Sequence, residues 1–310
     1  PEIMRMLNIS GMLICIFTPN YYFFKMGTRF AVPLMLGYLL FGLLLLILKQ
    51  QRLMFTSFAC CAGMCLFLKF SSDAELRFPT RTSRESLKVA HFNVANSGED
   101  YENTIRLMLS TDADLISIQE IDPHWSQLLL ETLNSKYPYH HSVVRFDPFG
   151  LALFSKHRFH SIDTFHFEDI PNIIGSIQPP GFKEQLYFIS SHTTPPLYSS
   201  AYNRLSEHLE KIAQYTSHIK APILTFGDYY APPWWGEIQN LKEAGQLSDS
   251  RPSGLSDLSN VFQNPVDYIF YSKHFNCIDF ENITQESNHL GISGTYQSKP
   301  DYFHVKTPNQ

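Results

Sequence analysis

Three long apolar stretches fill the first 70 residues, and beyond them apolar and polar positions alternate in short runs. The second stretch, residues 30 to 48 (FAVPLMLGYLLFGLLLLIL), carries no charge. As a helix it would cover about 28 Å, close to a hydrocarbon core of about 30 Å. The third, residues 53 to 68 (LMFTSFACCAGMCLFL), is also uncharged and rich in small residues that let helices approach closely. The first, residues 6 to 24, is interrupted by Asn8, Pro19 and Asn20, so a full span and an interfacial or half-inserted helix both fit. A cleaved signal peptide fits poorly, because two more apolar segments follow and no small-residue cleavage site ends the first. Residues 1 to 70 therefore predict a retained transmembrane anchor of about three helices.

Residues 71 to 86 (SSDAELRFPTRTSRES) are polar, contain a proline and read as a linker. The period then changes. LKVAHFNV (87–94) alternates as a strand, DYENTIRLMLSTD (100–112) places Ile105, Met108 and Leu109 at helical spacing, and ADLISIQE (113–120) is a second strand. Further strand-like runs are GLALFSK, LYFISSHT, APILTFGD and VDYIFYS, with helices expected over 122–135 and 200–219. This mixture predicts an α/β or α+β domain over residues 87 to 310, without internal repeats or low-complexity tracts.

Charge divides the chain at the same place. Residues 1 to 70 hold one acid and six bases, which leaves 28 acids and 18 bases for the remainder. A domain of about −10 gains little from phosphate neutralisation, and bulk nucleic acid is a poor ligand for it. Of the five cysteines only Cys277 lies outside the apolar segments, so the spacing offers neither a disulfide framework nor a metal site. With three spans, Arg5, Lys49 and Arg52 share one side of the membrane and Lys25, Arg29, Lys69, Arg77, Arg81 and Arg84 the other. That count favours a cytoplasmic domain, although the bases after Lys69 can instead belong to the folded domain.

Polar residues recur where strands end: Asn93, Glu120, His192 and Asp228, followed by Asp267 and His289 in the last part of the chain. Each has an ordinary structural alternative, as a turn cap, a helix cap, a surface histidine or the first residue of a strand. In order, the blocks HFNV, DLISIQE, GLALFSK, ISSHTTPP, LTFGDYYAPPW, VDYIFYS and SNHLG resemble the endonuclease/exonuclease/phosphatase superfamily, especially its membrane-anchored bacterial members, over residues 87 to 296.

The resemblance implies a four-layer sandwich of two mixed β-sheets flanked by helices, and divalent-metal-dependent phosphoester hydrolysis. It implies Mg2+ or Mn2+ held chiefly by Glu120 with Asn93 close by, and His289 stabilising phosphoryl oxygens while Asp267 orients it. His192 would contact phosphate and Asp228 would position the attacking water. It also favours a bacterial inner membrane with the domain on the extracytoplasmic face, against the charge count above.

Two positions depart from the family pattern. The family's Gly-Asp-Phe-Asn reads Gly-Asp-Tyr-Tyr, with Tyr230 for the asparagine, and its Ser-Asp-His reads Ser-Asn-His, with Asn288 for an acid near the metal. A phenol cannot reproduce the donor and acceptor pair of an amide. Trp234 and Trp235 either crowd the cleft mouth or pack on the domain surface. Two readings follow. One is a slow or specialised hydrolase tethered to the bilayer and acting on a small or lipid-borne phosphoester. The other is a pseudoenzyme scaffold, with no metal required, that docks on the subunits of a membrane protein complex.

Overall fold

The computed structural model describes residues 2–19, 21–71, 86–98, 100–251, 266–285 and 288–299. All but the two ends of the expected linker lie outside them. The amino-terminal part forms four helices: α1 (Glu2–Phe17), α2 (Tyr22–Thr28), α3 (Ala31–Ile47) and α4 (Gln51–Ser71). The first apolar stretch is thus two helices rather than one. Thr18, at φ +26°, ends α1 directly before Pro19, which has no N–H to continue it, and α2 leaves at 102° to α1.

α3 and α4 form a hairpin whose Gly42 lies against Phe58, with Ser57 donating to the Tyr38 carbonyl at 2.8 Å. Among the described residues α4 alone is by itself long and apolar enough to cross a membrane, with a mean hydropathy of 1.8, and α3 is a shorter apolar helix. The outer faces of the pair leave Leu40, Leu44, Ile47, Phe55 and Phe70 exposed.

The remaining described residues fold as twelve strands and four α-helices, with a 3-10 turn at Val94–Ser97 after the first strand. In chain order they are β1 (Ser86–Asn93), α5 (Tyr101–Ser110), β2 (Leu115–Gln119), α6 (Pro123–Leu133), β3 (Tyr139–Val143), β4 (Leu151–Ser155), β5 (Phe159–Phe167) and β6 (Ile170–Ile177). β7 (Leu186–Ser191), α7 (Ser199–His218), β8 (Ile223–Asp228), α8 (Gly236–Gly245), β9 (Leu247–Asp249), β10 (Asp267–Ser272), β11 (Phe275–Gln285) and β12 (Asn288–Ser298) follow. One six-stranded sheet has the order β11-β12-β1-β2-β4-β3 and the other β5-β6-β7-β8-β10-β9. Both are mixed: β1 and β2 run parallel in the first and β7 and β8 in the second, among antiparallel neighbours.

The two-residue side-chain period produces the layers. Leu87 and Val89 of β1 point between the sheets, where they meet Leu115, Phe188, Leu224, Phe226 and Ile269. Ala90 and Phe92 point the other way, onto Ile105, Met108, Trp125 and Leu129 of α5 and α6. On the far side Ile223, Tyr268 and Phe270 pack under Leu205, Leu209, Ile238 and Leu241 of α7 and α8. The order is helix, sheet, sheet, helix, as expected, with three apolar interfaces. Each fully buried Leu, Ile or Phe in them is worth about 1.5–3 kcal/mol.

Candidate active site

Toward one end of the seam between the sheets the inward positions change from apolar to polar. The series Leu87, Val89 continues as His91 and Asn93, Leu115 as Ser117 and Gln119, Phe188 as Ser190 and His192, and Leu224, Phe226 as Asp228. Asp267 stands opposite Asp228 in the β8–β10 register. All these side chains are buried, so each needs a partner.

Most partners lie across the seam. Gln119 accepts from the Asp228 amide at 3.2 Å and donates to the Ser191 carbonyl at 2.8 Å, tying the two sheets together. β8 can approach this closely only because residue 227 is glycine, at φ +152°: a Cβ there would lie 1.8 Å from the Ser191 carbonyl oxygen.

The Asn93 amide donates to Glu120 Oε1 at 2.8 Å, and its own oxygen accepts from the Ala95 amide at 3.1 Å. Glu120 has φ +62°, unusual for a side chain of its size, and is held there by its amide bond to the Gly150 carbonyl at 2.8 Å. Such strain, about 1–2 kcal/mol, persists where neighbours over-determine it, and in enzymes it clusters at active sites. Burial, reinforced by the Asp267 charge, pushes the Glu120 carboxyl up, while the Asn93 amide opposes the shift.

Asp267 behaves oppositely. Burial would raise its pKa, but His289, with Nε2 at 2.6 Å from Oδ2, and His91, 3.7 Å from Oδ1, together hold it below the usual carboxylate range. Burial and the Asp267 and Glu120 charges push Asp228 well up. Three carboxylates thus share one end of the seam, and their repulsion is a field in which a cation or a neutral acid is favoured.

His192 is fully enclosed. Its Nδ1 lies 2.9 Å from the Pro148 carbonyl, which only accepts, so Nδ1 carries the proton. Burial lowers the imidazole to about 4, leaving it neutral, and Nε2 is then an acceptor. The Tyr230 hydroxyl donates to that nitrogen at 3.2 Å, with the two rings stacked at 5.7 Å. Tyr230 sits at φ +47°, and its amide donates to Asp228 Oδ1 at 3.1 Å. Burial and the charges of Asp228, Glu120 and Asp267 push its phenol well up, so it stays protonated. The Tyr230 phenol therefore lies beside the carboxylates and occupies the free nitrogen of His192.

Glu120 and Asn93, Asp267 and His289, His192 and Asp228 are thus brought together at one end of the seam. The side chain of Asn288 lies outside the described residues. Trp234 and Trp235 do not crowd the cleft: Trp235 is fully buried and both indoles donate to Thr28, to its hydroxyl and its carbonyl. Gln119 and His91 also line this end of the seam, although the sequence blocks do not single them out. The alternation that places Asn93 inward also places His91 inward, and that signal could have found it.

Two facing six-stranded sheets with helices outside, and a seam ending in paired carboxylates, histidines and an asparagine, define a phosphoesterase-type α/β sandwich. The chain belongs to the Endonuclease/Exonuclease/phosphatase family, whose model matches residues 90–287. Among solved structures it is similar to an endonuclease/exonuclease/phosphatase from Bacteroides vulgatus, at 13% identity and TM-score 0.57 over 70% of this chain and 100% of that one. It is also similar to the human Nocturnin catalytic domain with bound sulfate (16%, TM-score 0.55, 69% and 95%). ANGEL2, a 2',3'-cyclic phosphatase in complex with adenosine-2',3'-vanadate, matches at 15% and TM-score 0.56 over 73% and 99%. At these identities the likeness is one of fold. No curated protein matches in sequence.

Proposed function

We propose that this chain is a membrane-anchored phosphoester hydrolase whose activity is restrained by Tyr230. The observation that carries the reading is the convergence of Asn93–Glu120, Asp267–His289, Asp228 and His192 at one end of the seam, with the Tyr230 hydroxyl on His192.

Among the described residues no group of three or more His, Cys, Asp or Glu side chains is arranged to hold a metal ion. A hard ion that keeps most of its water needs fewer: one or two carboxylates suffice for Mg2+. Glu120, pushed up by burial and a neighbouring charge, fits that demand, with Asn93 bracing it. When bound, the ion would neutralise charge on the phosphoryl group. Asp228 would position the water, and His289, oriented by Asp267 at 2.6 Å, would face the phosphoryl oxygens. A small phosphoester, free or lipid-borne, suits the acidic domain better than a polyanion does.

The anchor would be the α3–α4 hairpin, whose exposed apolar outer faces suit lipid. Lys25 and Arg29 bond to the folded domain, so they do not act as orienting charges. Arg5 and Thr56 are hydrogen-bonded, which puts Arg5 near the α3–α4 turn with Lys49 and Arg52, while the Ser71 end of α4 meets α8 through Gln239. The basic side is then the turn. By the positive-inside rule the turn would be cytoplasmic and the domain would face the extracytoplasmic side of a bacterial inner membrane.

A second reading, a pseudoenzyme scaffold within a membrane complex, is favoured by one observation: His192 already spends its only acceptor on Tyr230. The test is Mg2+- or Mn2+-dependent hydrolysis of bis-(p-nitrophenyl) phosphate and p-nitrophenyl phosphate by the full chain in detergent, beside Glu120→Ala. Hydrolysis that vanishes with Glu120→Ala establishes the hydrolase. No hydrolysis by the native chain, with activity regained in Tyr230→Asn, establishes the scaffold.

A further inference from the structure

α2 belongs to the amino-terminal segment, outside residues 90–287, yet it is built into the catalytic domain. Lys25, 2% exposed, lies 2.9 Å from Glu237 of α8, whose carboxylate also accepts from the Tyr202 hydroxyl at 2.5 Å. Lys25 and Arg29 both approach the Trp235 ring, each 5.6 Å from its centroid. The Tyr22 hydroxyl donates to the Leu197 carbonyl at 2.6 Å. The Thr28 hydroxyl and carbonyl receive the two indole N–H groups of Trp235 and Trp234, at 3.0 Å each.

The last contact of this patch reaches the site itself: Arg29 donates to the Tyr230 carbonyl at 2.6 Å. Tyr230 is in the left-handed region, where a residue with a Cβ stays only if its surroundings hold it. Its peptide is fixed on one side by the Asp228 carboxylate, which accepts from its amide, and on the other by Arg29, which takes its carbonyl. Those two bonds aim the ring at His192. A charge-assisted bond of this kind is about twice as strong as a neutral one.

We propose that Arg29 is a positioning residue for the active site: from the segment preceding the catalytic domain, it holds the turn that keeps the Tyr230 hydroxyl on His192. Docking of the amino-terminal helices and closure of the site are then one event, and anything that draws α2 off the domain opens the cleft. The kinetic part of this inference rests on the hydrolase reading above, whereas the positional part does not.

The experiment is hydrogen exchange read by mass spectrometry on the full chain in detergent, for the native protein, Arg29→Met and Arg29→Lys. The Met side chain keeps an apolar stem over Trp235 but has no donor, whereas Lys keeps a donor for the carbonyl. Arg29→Met is expected to speed exchange across residues 229–231 about tenfold while β1, β2 and β7 keep native protection, and Arg29→Lys to recover most of it. Native-like exchange in Arg29→Met, or equal loosening of β1, β2 and β7, would overturn the proposal. In the kinetic arm, Arg29→Met raises Mn2+-dependent hydrolysis of bis-(p-nitrophenyl) phosphate about tenfold, and leaves the rate unchanged once Tyr230→Asn has removed the phenol. If no variant hydrolyses the probe, Tyr230→Asn included, the hydrolase reading falls and the exchange result still decides the role of Arg29.

Discussion

Replacing Tyr230 with asparagine separates three terms that the structure allows to be estimated. The first is backbone strain: at φ +47° a tyrosine costs about 1–2 kcal/mol relative to an ordinary conformation, and asparagine is among the residues that tolerate this region best. The second is the hydroxyl's bond to His192 Nε2 at 3.2 Å, a net contribution of about 1 kcal/mol that the substitution removes. These two nearly cancel, so any loss of stability comes from the ring's packing against His192.

The third term is catalytic. An amide beside Asp228 restores a transition-state hydrogen bond worth about 3 kcal/mol, or 10²–10³ in rate. Tyr230→Phe supplies the control, because it loses the hydroxyl, keeps the strained backbone and the ring, and adds no amide. The assay is Mn2+-dependent hydrolysis of bis-(p-nitrophenyl) phosphate by the full chain in detergent, with Glu120→Ala as background. The expected result is a gain of 10²–10³ in kcat/KM for Asn, little change for Phe, and a Phe variant about 1 kcal/mol less stable. An equal gain from Phe would mean that the hydroxyl alone blocks the site. A loss in both variants would make the phenol a catalytic group and refute the reasoning.

Four further outcomes follow from the same geometry. Asp267→Asn removes the carboxylate that orients His289 at 2.6 Å and should lower any hydrolytic rate by about 10²–10³, read as kcat/KM. Glu237→Ala leaves Lys25 buried without its anionic partner and should destabilise the docked chain by about 3–5 kcal/mol, measured by urea denaturation in detergent. Buried His208, bonded to Asn172 at 2.8 Å, is lowered by burial to about 3 against an ordinary 6.5. The unfolded chain therefore binds a proton between those values that the folded one refuses, and stability is lost as pH falls from 6.5 toward 3. His208→Gln should flatten that slope in unfolding midpoints taken between pH 4 and 7. Gly227→Ala drives a Cβ to 1.8 Å from the Ser191 carbonyl oxygen, and the variant should fail to fold, seen as loss of soluble micellar protein in size-exclusion chromatography.

What the sequence determined by itself was the part carried by short-range pattern. Alternation marked β1, β2, β4, β7, β8 and β10, and helical spacing marked α5, α6 and α7, because each buries one face and so repeats every two or every 3.6 residues. Seven ordered blocks then brought the family, and with it the residues gathered at the end of the seam. The pattern does not mark β3, β5, β6, β9, β11, β12 or α8. β5 is an edge strand with several exposed positions, β6 carries Pro171 and Gly175, and β12 places Gly291 and Gly294 where side chains would normally declare a strand.

Tertiary structure alone decided the rest. No local pattern could show that the phenol of Tyr230 lies on His192, since that contact joins residues 38 apart through two strands and a Pro148 carbonyl that fixes the tautomer. Nor could it show that Lys25, Thr28 and Arg29 leave the membrane-like segment to bond with Glu237, the tryptophans and Tyr230. Hydrophobicity is a property of a segment and can be summed along it. A hydrogen bond across more than 200 residues depends on where both ends are placed, and only the folded chain places them.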